Sequence, residues 1–192
     1  MKCKKWNADD RRVMNEIKLV LPTKRYKEQI EKYWQTMLKE NPGTNKHGSL
    51  ETNYQEDFET WLKRCNDSRE GKNLPDGRVP STQYICIRKL DNNVVGMLSI
   101  RHSLNDFLLN YVGHIGYSVA VDERNKGYGK RMLALGLKKC KKLGIDKVLV
   151  TCKDTNIASK KCILSNGGKY EDTRILENGN IKLERYWIEN KT

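Results

Sequence analysis

No stretch of this 192-residue chain is apolar for long enough to span a bilayer. The first residues are charged and lack the apolar segment of a signal peptide, so the expected location is the cytoplasm, with reduced thiols. Six cysteines are present (Cys3, Cys65, Cys86, Cys140, Cys152 and Cys162), but none forms a Cys-x-x-Cys pair. His47, His102 and His114 complete no metal-ligand pattern, so neither a zinc site nor a disulfide is expected. The nucleotide P-loop signature is missing. So is the third glycine of the dinucleotide fingerprint, whose position holds Met132. There is no internal repeat and no low-complexity tract. Nor is there a helix-turn-helix pattern or the aromatic-basic interleaving of a single-strand binder, which disfavours a nucleic-acid-binding module.

Negative charge is also scarce. The chain has 37 Lys and Arg against 24 Asp and Glu, a net charge of +13. The excess is concentrated between Arg124 and Lys161, where twelve basic residues face only Asp146 and Asp154. Such a field attracts a polyanion, and nucleic acid or a phosphate-bearing cofactor would each be served by it. Individual lysines such as Lys138, Lys139, Lys141 and Lys142 read as a solvated helix face.

Periodicity supplies the elements. Glu16 to Leu21 is a first strand, preceded by a polar lead-in over 1–14 and opening a single domain over 15–192. Tyr26, Ile30, Tyr33, Trp34, Met37 and Leu38 recur at helical spacing up to Asn41-Pro42-Gly43. Tyr54, Phe58, Trp61, Leu62 and Cys65 share one face of a second helix, and 66–80 reads as a long surface loop bordering a cleft. Tyr84 to Leu90 and Val94 to His102 form a hairpin around Asp91-Asn92-Asn93, and a loop through Leu104-Asn105-Asp106 leads to a strand over 114–121. A helix follows up to Gly144. Then come a strand over 147–152, a helix over 156–165 and a final hairpin, 170–176 with 181–189, around Asn178-Gly179. The order is β-α-α-β-β-β-α-β-α-β-β, an α/β fold with a mixed sheet and helices on both faces.

Arg124 to Lys130, read as RNKGYGK, stand where the strand over 114–121 becomes a helix. Glycines at 127 and 129 let successive backbone N–H groups converge on an anion at the positive end of the helix dipole, and Arg124 and Lys130 add full charges. The bland alternative is a tight turn. The pattern Arg-x-x-Gly-x-Gly resembles the coenzyme A pyrophosphate loop of the GNAT superfamily, the acyl-CoA-dependent N-acetyltransferases. Gly113-His114-Ile115-Gly116-Tyr117, Asn156-Ile157-Ala158-Ser159 and Asn166-Gly167-Gly168 look like a bacterial subgroup of acetyltransferases. The resemblance covers roughly residues 15 to 189.

It implies acetyl-CoA as co-substrate, no metal, and direct transfer to a primary amine in a ternary complex. The implied cofactor residues are Val119, Val121, Arg124, Lys126, Gly127, Tyr128, Gly129, Lys130, Asn156 and Ser159, with the Val119 N–H polarising the thioester carbonyl. His114 is the candidate base, because an imidazole titrates near neutrality. Counting back from Arg124 puts the family's acidic or histidine position on Gly113, so His114 needs a one-residue bulge, and a structural histidine is the alternative. Tyr117 is an adjacent proton carrier or a core aromatic. Asn156 is also a plain helix N-cap. Ile163 stands where many members place a tyrosine acid, with Cys162 beside it.

Arg101, His102 and Asn105 form a polar group at a strand end that suits an acceptor or simply faces water. The acceptor is expected to be a small molecule. The final hairpin, Arg185 to Ile188, offers a surface that could pair two subunits. The reading from a different class is a basic nucleic-acid-binding or CoA-binding module without transferase activity.

Overall fold

The computed structural model describes residues 16–40, 56–176 and 181–190. Cys3, His47, Tyr54, the lead-in over 1–14, the stop at Asn41-Pro42-Gly43 and the Asn178-Gly179 turn lie outside them. The elements run β1 (Ile17–Val20), α1 (Lys27–Glu40), α2 (Phe58–Glu70), β2 (Ser81–Arg88), β3 (Val94–Arg101), α3 (Asp106–Tyr111), β4 (Ile115–Val119), α4 (Tyr128–Lys142), β5 (Lys147–Lys153), α5 (Ile157–Leu164), β6 (Lys169–Ile175) and β7 (Lys182–Glu189). Single 3₁₀ turns precede α1 and follow β4.

The expected order holds with one short helix added. Asn105 is not a loop residue but the N-cap of α3, its side chain accepting from Leu108 N at 2.9 Å. Helix α2 runs to Glu70, five residues past the expected end, so the loop expected over 66–80 begins at Gly71. Asp57 caps the start of α2 by accepting from Glu59 N and Thr60 N at 2.9 and 3.1 Å, and Gly71 closes it at φ 71°.

The strands divide into two antiparallel sheets rather than one continuous sheet, β1-β2-β3-β4 and β5-β7-β6. They meet at one bridge, Gly113 with Val150. Helices cover both faces of the first sheet. On one face Ile85, Ile87 and Met97 pack against Ile30, Tyr33, Met37, Phe58 and Trp61 of α1 and α2. On the other, Cys86, Leu98, Ile100 and Ile115 pack against Met132, Leu133 and Leu137 of α4. β2 and β3 are therefore buried on both sides, which is why they read as apolar runs without alternation. A fully buried Ile or Leu here contributes about 1.5–3 kcal/mol.

Strand pairing fixes what faces the seam. Gly96 pairs across from Val119, and just beyond it Ala120 N donates to Val95 O at 2.9 Å. Hydrogen-bonded pairs alternate along an antiparallel ladder, so Gly116, Ser118 and Ala120 turn their N–H groups to β3. The N–H and C=O groups of Ile115, Tyr117 and Val119 face the other way, into the splay between β4 and β5.

Candidate active site

The splay is pinned at its closed end by His114. The residue is 8% exposed, its N–H donates to Leu149 O at 2.8 Å, and its Nδ1 accepts from Leu149 N at 3.0 Å. Burial, then the positive charge of Arg101, push its imidazole down to about 4. The ring is therefore neutral at pH 7, and the nitrogen bearing the lone pair is already engaged. This geometry gives His114 the task of holding two sheets together. To accept a proton as the expected base, it would have to give up the Leu149 N–H.

At the open end lies the loop over 124–130. Gly127 takes φ 82°, a conformation that side chains resist, with open space where a Cβ would be. Helix α4 then begins with no side-chain cap and no acidic residue in its first turn. The first N–H groups of a helix have no partner inside it, so those of Tyr128, Gly129 and Lys130 form a positive nest at the dipole's end. These residues fit a pyrophosphate.

Two expectations change in detail. Gly129 is closely packed as well, because a Cβ there would meet Cys162 Sγ at 3.2 Å and the thiol would have to give by a few tenths of an ångström. Tyr128 buries its ring at 2% exposure with its hydroxyl 3.3 Å from Arg88 Nη1, so only its backbone is available to a ligand. Arg124 is half-exposed and forms a bidentate ion pair with Glu40, while its Nε donates to Val119 O at 3.4 Å. Lys126 pairs with Glu123 at 3.0 Å, and Val121 packs against the α1–α2 core.

Across the splay, Asn156 caps α5 by accepting from Ser159 N at 3.0 Å. The Tyr117 hydroxyl lies 3.1 Å from Ser159 Oγ, and burial holds its phenol well above its usual range. Ile163, at the position of the family's tyrosine, is fully buried in the core. Cys162 is half-exposed with its thiol raised by burial, which does not favour it as an acid at neutral pH.

Beside Tyr117 opens a cleft of about 1620 Å³. Its walls are α2, the segment 72–79, α3 and the ends of β5 and β7, with Ser68, Ser81 and Ser99 in its floor. Arg101 lines it and also donates to Gly113 O at 3.2 Å. His102 does not line it but bonds Thr82 Oγ1 at 2.8 Å. Asn105 ties α3 to the 72–79 segment through Gly77 O at 2.9 Å. Of the three expected acceptor residues, only Arg101 reaches the cleft. Each of its carboxylates is engaged among the described residues. Glu56 binds Arg64 at 2.6 Å, Asp67 binds Lys63 at 2.7 Å, and Asp57 caps α2. Sequence reasoning missed α3 as a wall, although Asn105-Asp106 is a legible N-cap and first-turn acid.

The strand that splays from its neighbour thus lies beside an uncapped helix start, with a capped helix opposite and an open cleft at hand. The chain matches the acetyltransferase (GNAT) family over residues 48–167 and belongs to it. It is an acetyl-CoA-dependent N-acetyltransferase. Among solved structures it is similar to Mycobacterium smegmatis RimJ in complex with CoA-disulfide, at 17% identity and TM-score 0.66 over 90% of this chain and 81% of that one. It is also similar to the microcin C7 self-immunity acetyltransferase MccE in complex with acetyl-CoA and AMP, at 16% and 0.65 over 92% and 94%. A third is the Salmonella typhimurium acetyl transferase that modifies the N-terminal serine of ribosomal protein L7/L12, at 15% and 0.64 over 92% and 96%. At these identities the likeness shows the fold alone. No curated protein matches the sequence. No described helix is long and apolar enough to cross a membrane, and the described residues hold no cluster of three or more His, Cys, Asp or Glu suited to a metal.

Proposed function

We propose that the chain transfers the acetyl group of acetyl-CoA to a primary amine by direct attack in a ternary complex. One observation carries this reading: the outward-facing Val119 N–H stands between an uncapped phosphate nest and an open cleft. Arg124, Lys126 and Lys130 supply charge to the donor, and the backbone of residues 127–130 holds its phosphates. Asn156 and Ser159 line its path. The Val119 N–H stabilises the oxyanion as the amine attacks the carbonyl carbon.

An amine with pKa near 10.4 is neutral only about once in a thousand molecules at pH 7, so it must lose a proton. The cleft carboxylates are engaged and the histidine is pinned, so we assign that proton to water in the cleft. The Tyr117 phenol stays protonated across neutral pH, so it hydrogen-bonds the departing sulfur without surrendering its proton, and the thiolate takes its proton from water. Ser159 Oγ, on the cleft side, orients that hydroxyl at 3.1 Å.

By its own description, one similar structure acts on a ribosomal protein. The cleft also exceeds the roughly 300–1,000 Å³ of drug-sized ligand sites. The test is therefore a free-thiol assay with acetyl-CoA, run across small amines and peptides with free N-termini. A reacting amine whose kcat/KM climbs with pH toward its own pKa supports the reading. No thermal shift with millimolar acetyl-CoA would sink it.

A further inference from the structure

Glu40 closes the described part of α1. Its place is explained by what it touches. Its two carboxylate oxygens meet both terminal nitrogens of Arg124, with Nη2 to Oε2 at 2.6 Å, across 84 residues of sequence. The approach is built in, because α1 is clasped to β4 by Tyr33 Oη and Ser118 Oγ at 2.5 Å and packs beside the 3₁₀ turn that leads into Arg124. A guanidinium presents one planar fork, and a carboxylate and a phosphate compete for it on equal geometric terms.

We infer that Glu40 is an internal competitor for the pyrophosphate, occupying Arg124 until the donor displaces it and so holding down donor affinity. The inference rests on reading residues 124–130 as the pyrophosphate loop. Both side chains are partly exposed, at 39% and 31%, so the competition is modest and sensitive to salt. Displacement frees the Arg124 fork for the donor, which makes this ion pair present without donor and absent with it.

The experiment is calorimetric titration of acetyl-CoA, and of S-acetylpantetheine, which lacks the pyrophosphate. The proteins are the native chain, Glu40→Gln, Glu40→Ala, Arg124→Ala and the Glu40→Gln/Arg124→Ala double variant, each checked by thermal melting. Both Glu40 variants should bind acetyl-CoA about two- to fivefold more tightly at low salt, with the gain shrinking as salt rises. S-acetylpantetheine should bind all proteins alike, and the gain should vanish in the double variant. Unchanged or weaker binding by both Glu40 variants, with Arg124→Ala still impaired, overturns the inference and leaves the loop reading standing. If Arg124→Ala binds acetyl-CoA as the native chain does, the loop reading itself fails. A gain that persists in the double variant, or appears equally with S-acetylpantetheine, also overturns the inference.

Discussion

The loop over 124–130 and the cleft beside Tyr117 are two ends of one site, built in opposite ways. Seven consecutive residues supply the loop, and its frame is the backbone, a left-handed glycine, an uncapped helix start and a dipole, to which Arg124, Lys126 and Lys130 add charge. The cleft draws on α2, residues 72–79, α3, β4, β5 and β7, and its chemistry is that of side chains brought from across the chain. A donor that is the same molecule in every turnover can be held by main-chain groups common to all residues. An acceptor has to be distinguished from other amines, and side chains do that. The seam between β4 and β5 joins the two ends, and perturbing it should damage both.

The largest effect is expected at Gly113. A Cβ there would sit 2.5 Å from Leu149 O, at φ 79°. Gly113→Ala should therefore cost at least about 3 kcal/mol and lower the melting temperature by roughly 6–12 °C. An unchanged melt would mean that the strands do not approach there. Next comes acid. The imidazole of His114 is held at about 4, below its unfolded value, so its contribution is complete above pH 6.5 and is lost as pH falls from 6.5 toward 4. The loss should be about 3 kcal/mol, and His114→Gln should remove this pH dependence of urea unfolding while leaving the shape of the kcat/KM profile from pH 6 to 9 unchanged. Loss of the low-pH limb of that profile in the variant would restore His114 as the base.

The same contrast explains what could be read in the chain. Arg124, Gly127 and Gly129 mark a strand-to-helix turn, and Asn156 with Ser159 marks a cap three residues long. Each is a local pattern, so each was legible. His114 was recognised by residue type, but its role depends on Leu149, 35 residues away, and no spacing announces that pairing. Tyr128 looked like part of the cradle because its neighbours are, yet helical rotation turns its ring into the core toward Arg88. The division into two sheets depends on β5 pairing with β7 and not with β4, a long-range choice that alternation within a strand does not encode. Asn105 and His102 read as acceptor ligands because polar residues at a strand end are rarely core, but tertiary partners, Gly77 O and Thr82 Oγ1, satisfy them first.

Tyr117→Phe probes the boundary between the two ends. The phenol is removed while the ring that packs against the α4 core is kept, so folding should be close to unaffected. If the hydroxyl hydrogen-bonds the departing thiolate, kcat should fall about tenfold, with the KM for acetyl-CoA and for the amine both little changed. A modest factor is expected because a thiolate leaves readily at neutral pH. A fall in kcat/KM carried only by the acetyl-CoA KM would make Tyr117 a binding residue and move the boundary toward the cleft.

The smallest effect should come from Phe107, on the exposed wall of α3. The ring is 57% exposed and lines the cleft, stacking on Tyr111 at 5.6 Å between centroids. Little of its surface is buried in the fold, so Phe107→Ala should cost the protein under about 1 kcal/mol. What it gives up is surface that an acceptor would cover, so the amine KM should rise about two- to fivefold while the acetyl-CoA KM stays constant. This is the reverse of Arg124→Ala, which should raise the donor KM and spare the acceptor. The pair tests the division of labour directly, because no single global change can move the two constants independently in opposite variants. If Phe107→Ala raised the donor KM instead, α3 would belong to the donor path, and the two ends would not be separable by their construction.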